Sequence, residues 1–302
     1  MSARPILVAG RSGQLAHCLV ELAAQRGTPL LAIGRLELDV ENATSIEQVA
    51  RSVEPCAIVN AAAYTAVDQA ESEPERAFAV NCDGAQRLAV EAQNRGVPLI
   101  HVSTDYVFDG RKSSAYTEDD VTAPLGVYGR SKLEGEAAVR EACSTALVLR
   151  TSWVYSPYGH NFVRTMLRFA ETRDQVRVVD DQRGSPTAAH DLANAILDVL
   201  DRLAGGNRPS PAGIYHMAGA GETTWHGFAS ALFAGWARRG GTVPKLVAIK
   251  STEYPTAAQR PTNSRLDCGK LERQFGIRLP RWQQSLEACL DRLLTGVELQ
   301  RC

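Results

Sequence analysis

Ile6-Leu7-Val8-Ala9-Gly10-Arg11-Ser12-Gly13-Gln14-Leu15-Ala16, near the start of a 302-residue chain, decides the fold. Four consecutive apolar residues suit a strand buried on both faces, and the apolar positions that follow (Leu15, Leu19, Leu22, Ala23) have the spacing of an amphipathic helix. Strand, Gly-rich turn and helix in that order open a βαβ unit, in which the phosphates of a dinucleotide rest on the helix N-terminus. Gly10 permits the tight turn, Gly13 lets the backbone approach a pyrophosphate, and Ala16 is small enough for the helix to pack on the sheet. The spacing G-x-x-G-x-x-A differs from the usual G-x-G-x-x-G and is a weak signal by itself, because a Gly pair there also serves plain turn chemistry.

Outward from this unit, apolar runs alternate with helix-length amphipathic stretches. Strands are expected at Ile6–Ala9, Leu30–Ile33, Ala57–Asn60, 99–103 and 147–150, each ending in a loop of small or hydroxyl residues. The pattern predicts an α/β fold with a Rossmann-type, doubly wound parallel sheet and a ligand outside the carboxyl ends of its strands. Beyond Arg150 the regularity loosens, and Gly/Pro-rich stretches at 205–213 and 254–261 separate shorter apolar segments. The expected division is a dinucleotide-binding domain over 1–150, with parts of 180–205 returning to it, and a smaller α/β lobe over 151–302.

Composition narrows the partners. The 33 Lys+Arg against 34 Asp+Glu leave a net charge of −1, so no polybasic surface calls for nucleic acid or an anionic membrane. A small polar ligand fits better. Seven cysteines (18, 56, 82, 143, 268, 289, 302) contain no C-x-x-C pair and read as reduced thiols of a cytoplasmic protein. The first five residues run straight into a strand without a signal-type apolar segment, and no stretch approaches the length of a membrane span.

Three further features carry chemistry. After the second strand stands Arg35, where an acid usually binds the ribose of NAD; a guanidinium there suits the 2′-phosphate of NADPH, and is otherwise a solvated surface residue. Asp39 is a candidate for the adenine or ribose, or a turn residue. Tyr128-Gly129-Arg130-Ser131-Lys132 is the strongest signal: five Lys and eight Tyr in 302 residues would supply well under one Y-x-x-x-K by chance. On a helix the two side chains share a face. An ammonium about 6 Å from the phenol, at an effective dielectric near 20, would favour the phenolate by roughly 2.8 kcal/mol, about two pH units. Thr104, at the carboxyl edge of the fourth strand, could hydrogen-bond a substrate carbonyl or the Tyr128 hydroxyl.

These segments resemble the extended short-chain dehydrogenase/reductases, and among them the dTDP-4-dehydrorhamnose reductase family, over nearly the whole chain. The resemblance also rests on Val59-Asn60-Ala61-Ala62-Ala63-Tyr64-Thr65-Ala66-Val67-Asp68 with Ala70-Glu71-Ser72-Glu73, on Ser103-Thr104-Asp105-Tyr106-Val107-Phe108-Asp109-Gly110 and on Arg150-Thr151-Ser152-Trp153-Val154-Tyr155. Asp181-Gln182-Arg183-Gly184-Ser185-Pro186-Thr187 and Arg260-Pro261-Thr262-Asn263-Ser264-Arg265-Leu266 complete it. It implies hydride transfer from NADPH, with NADH also possible, to C4 of dTDP-4-dehydro-L-rhamnose, a step toward cell-surface polysaccharide. Tyr128 would protonate the forming alkoxide, Lys132 would bind the nicotinamide ribose and tune Tyr128, and Thr104 would orient the carbonyl. Gln14, Leu15, Asp39, Val40, Ala63, Tyr64 and Thr65 would line the cofactor, Asp105 and Trp153 would face the sugar, and Arg260 would hold the nucleotide diphosphate. The second lobe would then be mainly a sugar-nucleotide domain.

Some members of the family form dimers bridged by a divalent metal on glutamates. The aligned positions here carry Cys18, His190 and Arg292, which cannot make a hard oxygen site, so no metal is expected and a homodimer, if formed, is not expected to be metal-bridged. A nucleotide-sugar dehydratase or epimerase is the nearest alternative, although Tyr106 stands where dehydratases carry an acid. A non-catalytic NADP-binding regulatory subunit would have no need of the set Thr104, Tyr128 and Lys132.

Overall fold

The expected apolar runs form parallel strands in the computed structural model, which describes residues 4–205 and 211–294; residues 1–3, 206–210 and 295–302, Cys302 with them, lie outside the described residues. The strands are β1 (Ile6–Ala9), β2 (Leu30–Ile33), β3 (Ala57–Asn60), β4 (Leu99–Thr104) and β5 (Leu147–Thr151). A sixth, Gly213–His216, pairs in parallel with β5 at the sheet edge. The order is Gly213–His216, β5, β4, β3, β1, β2. Every residue of β1, β3 and β5 is buried, as expected of parallel strands covered on both faces.

Side chains alternate between two cores. Ile6, Val8, Val59, Leu147 and Leu149 point to one face, against helix α1 (Gln14–Arg26) and the helix Ala189–Ala204. Leu7, Ile58, Leu99 and Val148 point to the other, against Ile46, Leu88 and Val139 of the helices Ala43–Val53, Ala85–Arg95 and Val127–Ala142. Because β2 and β3 flank β1 on opposite sides, successive connections diverge there and leave a crevice at the carboxyl ends of β1 and β3. Gly10 and Ala61 sit at its floor.

The chain beyond residue 150 serves both regions. The helix Ala189–Ala204 packs along α1, and Gly213–His216 extends the central sheet. This strand is invisible to patterning, because it begins on a glycine at the end of a Gly/Pro-rich stretch. A third core gathers Tyr155, Val163, Met166, Val178, Phe228, Leu232, Trp282 and Leu286. The strands Gln175–Val179 and Lys245–Ile249 pair in parallel beside it. No helix among the described residues is long and apolar enough to cross a membrane.

Candidate active site

A cavity of about 870 Å³ opens at the carboxyl ends of the strands and extends to Trp153 and Trp225. Gly10, Gly13, Gln14, Leu15, Arg35, Asp39, Val40, Ala63, Tyr64, Thr65, Thr104, Asp105, Tyr128, Lys132 and Trp153 all line it. Residues up to 143 positions apart in sequence thus meet along one wall.

At the β1 end, Gly10 has φ +107°, and a Cβ there would lie 2.9 Å from the Ala62 amide nitrogen. Only glycine fits a left-handed turn pressed against neighbouring backbone. Gly13 is the N-cap of α1 and offers no side-chain cap, so the first-turn N–H groups remain available to a phosphate. This cradle fits a dinucleotide. Arg35 stands at the mouth with its side chain 59% exposed, 2.5 Å from Glu41 and 3.9 Å from Asp39.

At the β4 end, the Thr104 hydroxyl lies beside the Tyr128 phenol on the cavity wall, donates to Asp105 Oδ1 at 3.1 Å and accepts from the Tyr106 amide at 3.2 Å. Tyr128 belongs to the helix Val127–Ala142, which lies so close to the β4 loop that a Cβ on Gly129 would fall on the Tyr106 carbonyl oxygen. The expectation that Lys132 draws Tyr128 toward neutrality is not met. Burial pushes the phenol up to about 12, Thr104 opposes the rise and the nearby Asp105 carboxylate adds to it. Taking the phenolate out of water costs more than Thr104 returns. That ammonium is itself compromised, since burial lowers Lys132 to about 8 against a raising influence from Glu136.

Lys132 Nζ donates to the Val102 carbonyl at 2.7 Å and lies 3.4 Å from His101 Nε2. The Ala62 amide donates to Asn60 Oδ1, which turns the Asn60 amide nitrogen toward His101 Nδ1 at 3.0 Å. Nδ1 is therefore the acceptor and Nε2 carries the proton of a neutral imidazole. Burial first, and Lys132 second, hold His101 well below its ordinary value. An N–H dipole thus faces the lysine.

Asp105 is 3% exposed and its Oδ2 has no partner among the described residues. Burial raises its carboxyl to about 6, opposed by the Ser264 and Thr104 hydroxyls. Trp153 has φ +50°, unusual for a bulky residue, and stacks on Trp225 with centroids 3.6 Å apart. Arg260 is not brought into the lining. Its guanidinium is clamped on Asp68 at 3.0 and 2.8 Å. Cys18 is buried with its thiol pushed up to about 12, His190 lies 4.0 Å from Asp191, and Arg292 binds Glu21 and the Tyr158 hydroxyl.

Several supporting residues escaped the sequence reading. Asn81 lies in a π-turn, Ala79–Gly84, and its amide bonds the Tyr64 backbone in both directions and the Ser131 hydroxyl at 3.0 Å. Helix-weakening Asn81 and Gly84 inside a helical period were the available signal. Glu136 takes two hydrogen bonds from Arg150 Nε, at 2.9 and 3.2 Å, one from Nη2 at 2.6 Å, and one from Ser103 at 2.5 Å. It continues the i, i+4 stripe of Tyr128 and Lys132, a visible clue to a buried carboxylate. Trp225 and Arg76 line the cavity with no comparable clue.

Comparison with known proteins agrees with this geometry. The family model described as the RmlD substrate binding domain matches residues 4–295. A dTDP-4-dehydrorhamnose reductase of Sinorhizobium fredii is 48% identical over 289 residues, covering 96% of this chain and 97% of its own. That of Escherichia coli (strain K12) is 42% identical over 297 residues, covering 96% and 98%. The solved dTDP-4-dehydrorhamnose reductase of Bacillus anthracis in complex with NADP superposes with a TM-score of 0.88 at 34% identity, covering 96% of this chain and 99% of that one. With the fold, the cradle and the Thr104–Tyr128–Lys132 wall in place, the chain belongs to the RmlD family, whose relatives at this identity are dTDP-4-dehydrorhamnose reductases.

Proposed function

We propose that this chain reduces the C4 ketone of dTDP-4-dehydro-L-rhamnose with NADPH, giving dTDP-L-rhamnose, and that Tyr128 is the proton donor. The observation that carries the reading is the placement of Thr104, Tyr128 and Lys132 in the same cavity as the Gly10–Gly13 cradle. NADPH supplies the hydride when bound. The α1 N-terminus, Ser12 and Arg35 would hold its phosphates, and Lys132, one helical turn from Tyr128, its nicotinamide ribose.

Reduction turns the ketone oxygen into an alkoxide, which must receive a proton as charge develops. Tyr128 enters that step protonated, because a phenol held at about 12 stays loaded at neutral pH. A strongly basic alkoxide still takes the proton readily. Thr104 fixes the phenol and the ketone oxygen in one place, and Lys132, still mostly cationic at pH 7, stabilises the tyrosinate left behind. Solvent then returns the proton. Trp153 presents an aromatic face to the deoxysugar and Asp105 an unpartnered carboxylate oxygen to a sugar hydroxyl. Tyr106 follows Asp105 where dehydration needs an acid, and burial pushes its phenol up, so dehydration is not supported. A dTDP-sugar and a nicotinamide cofactor as partners suit a cytoplasmic enzyme.

The test is NADPH oxidation at 340 nm with dTDP-4-dehydro-L-rhamnose, with the product identified. Tyr128→Phe is expected to lower kcat by about 10²–10⁴ while NADPH still binds. Full turnover in that variant would refute the assignment.

A further inference from the structure

The helix that carries Tyr128 begins without a cap of its own. Its N-cap is Gly126, extended at φ −130° and ψ 176°, which makes no side-chain cap, and its first turn holds no acidic residue. Val127 is buried among Ala70, Ala77 and Phe78, so water does not readily serve its backbone N–H. An orphan donor at a buried helix end needs another acceptor. It finds one 56 residues away, where Glu71 Oε1 accepts from the Val127 amide at 2.8 Å. The fit is reciprocal, because a Cβ on Gly126 would meet that same oxygen at 2.5 Å. Glycine at the N-cap makes room for the distant carboxylate.

The segment bearing Glu71 is anchored on both sides. Tyr64 is held through its backbone by Asn81 and through its hydroxyl by Glu73 at 2.9 Å, and Asp68 is held by Arg260 and by the Ala258 amide at 3.1 Å. Glu71 therefore reaches the helix from a fixed base. Tyr128 is the second residue of the helix, in the turn that frays first when a cap is lost. Fraying there would carry the phenol away from Thr104.

We propose that Glu71 is a positioning residue for the reduction: it caps the Tyr128 helix in trans and holds the phenol on Thr104. The proposal rests on Tyr128 being the proton donor. A carboxylate at this end also opposes the partial positive charge of the helix. Through Glu71 the segment that lines the cavity at Ala63, Tyr64 and Thr65 is joined directly to the start of the helix that presents Tyr128 and Lys132.

The test compares Glu71→Ala, Glu71→Gln and the double variant Glu71→Ala/Gly126→Ser in the full chain, reading kcat, KM, NADPH affinity and thermal midpoint. Glu71→Ala is expected to lower kcat about tenfold with NADPH affinity within about twofold. In the double variant the new serine occupies the vacated space, caps the helix locally, and should return kcat to within about threefold of the parent. Glu71→Gln keeps a neutral acceptor for Val127 and should hold kcat within about threefold; it also serves if Glu71→Ala does not fold. Three outcomes overturn the proposal: parental kcat in Glu71→Ala, a double variant that regains its thermal midpoint but not its kcat, or a folded Glu71→Gln whose kcat falls by more than about thirtyfold. Tyr128→Phe runs alongside. If it loses turnover while Glu71→Ala keeps it, only the cap role fails; if it keeps turnover, the proton-donor reading fails.

Discussion

Replacing Glu136 by glutamine should be among the most damaging isosteric changes this chain can suffer. The Glu136 and Arg150 side chains are each 2% exposed and 2.6 Å apart at closest approach. Arg150 Nη1 has no hydrogen-bond partner among the described residues, so the guanidinium depends on this carboxylate and on the face of Phe108, whose centroid is 5.1 Å away. Glu136→Gln leaves that charge buried without a counter-charge and turns an amide N–H₂ toward it or toward Ser103. Breaking a buried pair from one side costs about 3–5 kcal/mol. Glutamine keeps one acceptor, which places the loss near the lower end, about 3–4 kcal/mol. For a chain of this size that is a fall of roughly 5–6 °C in Tm. Removing both charges with Glu136→Leu/Arg150→Met should recover most of it, because the penalty lies in the unpaired charge rather than in a missing attraction. Thermal and urea unfolding followed by circular dichroism measure both. A loss below about 1 kcal/mol in Glu136→Gln would show that water reaches the guanidinium and that the pair is not desolvated.

Three further predictions concern the site. Lys132 is held at about 8 in the folded chain against an ordinary 10.5, so the unfolded state binds more protons between those pH values and stability rises with pH across that window. The gap corresponds to roughly 3 kcal/mol, read as the gain of the parent over Lys132→Met in urea unfolding between pH 7 and pH 10; equal gains in both would refute it. Asp105, raised to about 6, should give kcat/KM a limb near that pH, and the limb should vanish in Asp105→Asn. Gly129→Ala would drive a methyl onto the Tyr106 carbonyl and shift the Tyr128 helix. The expected loss in kcat is about a hundredfold, against a modest change in NADPH affinity by fluorescence titration.

Much of the sheet was legible because its rules are local. Ile6–Ala9, Leu30–Ile33 and Ala57–Asn60 are short apolar runs closed by turn residues, and they form strands at the expected positions. Gly10 was readable for the same reason, since strand, glycine and helix are adjacent in the chain. Tyr128 and Lys132 share a face because they are four residues apart on one helix. Gly213–His216 was not legible, because its strand character comes from pairing with β5 rather than from its composition.

The sequence by itself therefore determined the α/β sheet, the cradle after β1 and the helix face shared by Tyr128 and Lys132, all properties of neighbours in the chain. Only the tertiary structure decided what those side chains can do. It half-buried Tyr128 and raised its phenol to about 12 by desolvation, whereas charge at helical spacing had promised the reverse. It gave Arg260 to Asp68, 192 residues away, and set Glu136 under Arg150 and Glu71 on Val127. Desolvation and long-range partners depend on which distant segments exclude water from a group, and no local spacing carries that information.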